Sequence, residues 1–210
     1  KEHVNNLIKS AKAYSVFKKS LKKDILNIIK ENLNSKTEYN HLLRIALNKK
    51  TLSISLRKRV KPNLNFDLRL VNLKRQKPEF KNLKYKEILK YLTKLDNSKA
   101  DIGLCSNNKI FETGTSNLLF VKNDKVFSPI NKFYKGITYK FFRSKIKKII
   151  KKDISLNSLK EFDEIILIGS GKGVASVKSI NQIKWKRKSL KFYNILSKHY
   201  KSAINSCKKI

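Results

Sequence analysis

Three glycines fall within five residues, Gly169-Ser170-Gly171-Lys172-Gly173, directly after the apolar run Ile165–Ile168. A strand that feeds a Gly/Ser turn presents successive backbone N–H groups, which is how a phosphate is cradled. The spacing is neither the dinucleotide fingerprint nor a Walker loop, and an ordinary tight turn is the plain alternative. Only six glycines occur in 210 residues, so each is expected to serve a positive φ or a close backbone approach. A second candidate is Gly136-Ile137-Thr138, just ahead of a basic helical pattern. There the Thr138 hydroxyl and amide would meet an anion at the positive end of the helix dipole, or simply cap the helix. The third is Glu112-Thr113-Gly114-Thr115-Ser116-Asn117, between two strand-like runs. Glu112 follows Phe111 in the most apolar half of an acid-poor chain. It is either a turn carboxylate or a buried partner for a cationic ring nitrogen or a base.

The elements that must position these residues follow from periodicity. Val4, Leu7, Ile8, Ala11, Tyr14 and Phe17, then Leu21, Ile25, Ile28, Ile29 and Leu33, recur at helical spacing and predict two amphipathic helices. Apolar stretches at 42–47 and 52–56 follow, the second alternating like a strand. Residues 59–64, basic and carrying Pro62, read as a linker between a partial N-terminal α/β subdomain, 1–58, and a C-terminal α+β subdomain, 65–210. Phe66, Leu68 and Leu70 alternate as a strand, and 83–95 reads as a helix. From Ala100 the texture turns to hairpins, with polar turns at Asn107-Asn108 and Asn123-Asp124. A basic helix is predicted from Thr138 to Lys151, strands at 164–168 and 174–180, and a closing helix over 190–205. The class is α+β with two subdomains.

The charge is the loudest compositional feature and the least specific. Fifty Lys+Arg against 15 Asp+Glu leave +35, the footprint of a nucleic-acid binder. Only seven of the basic residues are Arg (44, 57, 59, 69, 75, 143 and 187), whereas bidentate recognition of phosphate and guanine favours Arg. The lysines are scattered over every segment alongside abundant Asn and Ile, a pattern of nucleotide bias and solvated surface. The hydrophobic share of 40% excludes a disordered chain, and no apolar run reaches the roughly 20 residues that span a bilayer. Two cysteines, Cys105 and Cys207, lack metal-site or disulfide-framework spacing, so no metal is expected and a cytoplasmic setting is. The chain opens on Lys1 and has no Met, which reads as a fragment.

Taken together, these segments make the sequence resemble the fold-type IV pyridoxal-phosphate enzymes, the class IV aminotransferase family. That family includes branched-chain and D-amino-acid aminotransferases and 4-amino-4-deoxychorismate lyase. The resemblance is carried by Glu112–Val121, Phe127-Ser128-Pro129, Gly136-Ile137-Thr138, Asp163–Ser170 and Gly173–Val177, in the family's order. Glu2–Lys12 is similar to its opening E-H-x-x-R-L-x-x-S-A helix. The likeness spans essentially the whole chain, with the family's N-terminal strands missing. It implies a pyridoxal 5'-phosphate cofactor and a Schiff-base lysine at Lys84, 28 residues before Glu112, with Lys81 and Lys86 as alternatives. It further implies that Glu112 holds the pyridine nitrogen, that Ile137, Thr138, Ser170 and Gly171 bind the phosphate, and that Thr115 flanks the ring. Asn6 stands where the family helix offers an Arg to the phosphate, which leaves that charge to a lysine such as Lys9 or Lys172.

The resemblance implies a lyase releasing pyruvate and leaving 4-aminobenzoate for folate synthesis, with a branched-chain or D-amino-acid transaminase as the alternative, and a homodimer when full length. Two other readings compete. A basic nucleic-acid-binding module accounts for the charge but not for the glycine and Glu112 segments. A non-catalytic homologue is suggested by Asn6.

Overall fold

The computed structural model describes residues 2–34 and 36–206; Cys207 lies outside them. The described residues divide into two compact units, one within residues 2–59 together with Phe80–Leu83, and the other Val60–Glu79 with residues 84–206.

The first unit holds helices α1 (Glu2–Ala13) and α2 (Leu21–Asn32) and an antiparallel hairpin, β1 (His41–Leu47) with β2 (Leu52–Lys58). Its core is small: Ala11, Leu21 and Ile25 are buried, with Val4, Leu7, Ile8, Ile45 and Leu52 packed against them. The first helix stops before the Tyr14 and Phe17 included in its apolar pattern, because Ser15 adopts φ 54° and turns the chain. Two side-chain bonds tie Phe80–Leu83 into this unit, from the Lys81 amide to Ser10 Oγ at 3.2 Å and from Asn82 Nδ2 to Tyr14 Oη at 2.8 Å.

The second unit is built on a mixed sheet. Its strands are β3 (Phe66–Asn72), β4 (Ala100–Ser106), β5 (Lys109–Thr113), β6 (Asn117–Lys122), β7 (Lys125–Ser128), β8 (Ile149–Lys151), β9 (Glu164–Gly169), β10 (Gly173–Ile180) and the short β11 (Trp185–Lys186). The spatial order is β5-β4-β3-β10-β9-β6-β7-β8, with β11 on β10. Three helices accompany it: α3 (Lys86–Leu92), α4 (Ile137–Lys145) and α5 (Lys191–Asn205). Strand β3 is central, parallel to both β4 and β10, and β9 is buried from Glu164 to Ile168, which is why its sequence is continuously apolar rather than alternating.

One apolar cluster joins Phe66, Leu118, Phe120, Ile165, Leu167 and Val177. Another receives Tyr139 and Phe142 of α4 and Leu196 of α5 against Leu119, Ile166 and Ile168. The alternation of 165 and 167 with 166 and 168 assigns the two faces. Glu164 is buried and accepts the Phe192 and Tyr193 amides at 2.8 and 2.9 Å and the Ser189 hydroxyl at 3.1 Å, so a strand carboxylate satisfies the second and third orphan donors of α5, while Ser189 Oγ takes the first, from Lys191, at 3.0 Å.

Two predicted helices are shorter than their sequence patterns. The run 83–95 forms a helix only over Lys86–Leu92, buried through Ile88 and Leu92, while Leu83 and Leu89 are exposed. The run 138–151 is a helix only to Lys145; Ile146 turns extended, and Ile149–Lys151 pairs in parallel with β7.

Candidate active site

Glu112 sits on β5, 5% exposed, and is held by a guanidinium. Arg75 Nε donates to its Oε1 at 2.7 Å and Arg75 Nη2 to its Oε2 at 3.1 Å. The Tyr134 amide donates to Oε2 at 3.2 Å. Burial pushes the Glu112 carboxyl above its usual range, against the pull of Arg75 and the Tyr134 amide. Burial also works against the Arg75 charge, but the attraction of Glu112 and Tyr85 prevails and keeps the guanidinium above its ordinary value. The carboxylate is thus fixed in direction, with acceptor capacity left on Oε1.

The Tyr134 contact leads to the next candidate segment. Asn117, at the start of β6, donates from Nδ2 to the Tyr134 carbonyl at 2.5 Å and accepts the Gly136 amide on Oδ1 at 3.1 Å. A Cβ on Gly136 would lie 2.9 Å from Asn117 Oδ1, so a side chain there would have to push aside the amide that bonds Tyr134 and Gly136, while the backbone at φ −64° is ordinary. Helix α4 then begins with no side-chain cap. Its first-turn amides, including those of Ile137 and Thr138, have no intrahelical acceptor and face outward along the dipole. Thr138 is buried, and its Oγ1 lies 3.3 Å from Ser170 Oγ in the turn between β9 and β10.

That turn, which includes Gly171, is fastened from its other side. Lys172 Nζ lies 3.4 Å from Asp101 Oδ2 and 4.5 Å from the Phe66 ring centroid. Burial lowers the Lys172 ammonium pKa and Asp101 only partly restores it. Asp101, fully buried, also accepts the Thr113 hydroxyl at 2.9 Å and the Thr115 hydroxyl at 2.6 Å. Thr115 and Lys172 therefore share one carboxylate, and the lysine suggested as a substitute phosphate ligand is turned onto Asp101.

Lys84 is exposed at the start of the segment leading into α3, its Nζ 3.2 Å from Gln76 Oε1. Its neighbour Tyr85 accepts from Arg75 Nη1 at 3.0 Å. The structure thus links Glu112 with Ile137 and Thr138 through Tyr134 and Asn117, Thr138 with Ser170 and Gly171, and Glu112 with the Lys84–Tyr85 segment through Arg75. Arg75 was not among the residues singled out in the sequence; the signal available was its being arginine where lysine is nearly universal. Asn6 lies on α1 of the first unit, where its carbonyl accepts the Ser10 hydroxyl at 3.0 Å.

The arrangement fits a phosphorylated pyridine aldehyde. Uncapped amides and two facing hydroxyls suit a phosphate, and a buried, oriented carboxylate suits a ring nitrogen that must stay protonated. Among the described residues no group of three or more His, Cys, Asp or Glu could hold a metal ion, and no described helix is long and apolar enough to cross a membrane.

Comparison with known proteins shows the fold and the family. A branched-chain aminotransferase from Thermoproteus uzoniensis superposes with TM-score 0.76 at 15% identity, over 97% of this chain and 78% of that one. A branched-chain amino acid aminotransferase from Thermobaculum terrenum in its PLP form gives 0.72 at 14% identity, over 97% and 77%. A 4-amino-4-deoxychorismate lyase from Pseudomonas aeruginosa gives 0.71 at 14% identity, over 99% and 85%. These likenesses establish the fold, α+β fold-type IV. No curated protein sequence matches. The family profile described as amino-transferase class IV matches residues 1–180, from α1 through the strand that follows the glycine turn. The chain therefore belongs to the class IV aminotransferases, a family of pyridoxal-phosphate-dependent enzymes.

Proposed function

We propose that this chain carries the cofactor-binding machinery of a pyridoxal-phosphate enzyme in which Lys84 is the covalent lysine. In this reading Glu112 is the ring-nitrogen partner, and Ile137, Thr138, Ser170 and Gly171 form the phosphate cradle. The observation that supports it most is the unbroken set of contacts from Glu112 through Tyr134, Asn117 and Gly136 to the uncapped start of α4 and the Thr138–Ser170 hydroxyl pair. When bound, the cofactor supplies an aldehyde for a lysine amine and a ring that accepts electron density. The Lys84 amine holds and returns the proton of the substrate α-carbon. The Glu112 carboxylate keeps a proton on the facing nitrogen, and the cradle anchors the dianion through backbone amides and the Thr138 and Ser170 hydroxyls.

Within the family, we propose the activity of a 4-amino-4-deoxychorismate lyase: elimination of pyruvate from aminodeoxychorismate to leave 4-aminobenzoate, a step of folate biosynthesis. The Gly173-Val174 continuation of the phosphate turn supports it. The similarity to branched-chain aminotransferases supports a second reading, amino transfer from a branched-chain or D-amino acid. One assay separates them: the cofactor-loaded protein is given aminodeoxychorismate and, separately, leucine or D-alanine with 2-oxoglutarate. The lyase reading expects pyruvate without glutamate. Glutamate formation with no pyruvate from aminodeoxychorismate contradicts it. The protein is further expected to be a homodimer, checked by sedimentation.

A further inference from the structure

Arg75 makes five polar contacts with three separate pieces of chain, all within the second unit. Two go to Glu112. Nη2 also donates to the Pro78 carbonyl at 2.6 Å, and Nη1 donates to Tyr85 Oη at 3.0 Å. The fifth is the Tyr85 ring, whose centroid lies 5.9 Å from the guanidinium carbon. Pro78 and Tyr85 bracket the excursion in which Phe80–Leu83 groups with the other unit, and Lys84 is the first residue after it. One side chain, itself 8% exposed, thus fastens both ends of that excursion to the Glu112 carboxylate. A guanidinium offers five donors in a rigid fork, and a lysine at the same position could reach only part of this set.

We infer that Arg75 is a positioning residue that couples Glu112 to the Lys84 segment, so that the carboxylate's direction and charge and the lysine's placement are set by one side chain. The inference rests on the roles of Lys84 and Glu112 proposed above. It makes Arg75 neither a phosphate ligand nor a substrate ligand, since its donors are directed to Glu112, Pro78 and Tyr85.

The test uses the full chain with pyridoxal 5'-phosphate as probe, comparing wild type, Arg75→Lys and Tyr85→Phe. Folding is checked by cooperative thermal unfolding. Two readouts follow: the dissociation constant, and the pH midpoint of the absorbance change of the lysine-bound cofactor. Arg75→Lys keeps the charge and loses the fork, and is expected to weaken binding at least tenfold and to move the midpoint. Tyr85→Phe leaves the Glu112 pair intact and is expected to weaken binding about threefold in the same direction. If Arg75→Lys does not fold, Tyr85→Phe decides. A purely structural arginine would lower the unfolding temperature but leave both readouts unchanged in the folded variants, and that result overturns the inference. Absence of any lysine-bound cofactor in the wild type overturns instead the reading on which the inference rests.

Discussion

A buried carboxylate bound on both oxygens by one guanidinium is costly to break and useful to keep. Glu112→Gln preserves shape but strands the Arg75 charge at 5% side-chain exposure. Breaking a buried pair from one side costs about 3–5 kcal/mol, and urea unfolding is expected to read a loss of that size. A second residue-scale prediction concerns Cys105, whose thiol burial pushes up to about 12. At pH 8 it is therefore a neutral thiol and is expected to resist iodoacetamide in the folded protein, reacting only when the protein unfolds, as read by peptide mass. Because the folded-state value is the higher one, this thiol's contribution to stability is present below the unfolded pKa and lost as pH climbs toward 12. Glu112 was legible in the sequence because a carboxylate in an apolar, acid-poor stretch needs a reason. Lys84 was not legible from residue type, being one of 43 lysines, and entered through the family resemblance alone. Among lysines, burial lowers the ammonium of Lys172, a property that only packing against Phe66 and Asp101 reveals.

At the scale of elements, turn chemistry was the reliable signal. Asn107-Asn108 and Asn123-Asp124 all adopt positive φ, from 49° to 58°, as the two-residue hairpin turns read from the sequence require. The glycine turn was also legible, and its strictest position is Gly173, with φ +75° and a Cβ that would meet Tyr200 Cε1 at 2.9 Å. Gly173→Ala is expected to cost about 1–3 kcal/mol from backbone strain, with α5 displaced through Tyr200; denaturant unfolding measures it. Glu164→Ala is expected to cost about 1–2 kcal/mol by leaving the Phe192 and Tyr193 amides without their acceptor. The failure of helical periodicity beyond Lys145 has a physical cause. Short Ile clusters spaced by lysines satisfy a helix and a strand equally, and the β7 edge, available for parallel pairing with Ile149–Lys151, is a tertiary fact that no local window contains.

For the whole molecule, the +35 is best understood as a burden carried by the fold. Fifteen acids cannot neutralise fifty bases, so the compact state repels itself, and salt relieves that repulsion. The unfolding temperature is expected to rise with NaCl, about 2–4 °C for each kcal/mol gained; a fall would count against this account of the charge. The chemistry argued for the chain rests instead on a few scarce types, glycine, arginine and buried acid, and its central claim is that Lys84 bears the cofactor. The most direct measurement is borohydride reduction of the pyridoxal-phosphate-loaded protein followed by peptide mapping. The account predicts a single pyridoxyl label on Lys84. A label on another lysine, Lys172 foremost, or no label at all, would contradict it.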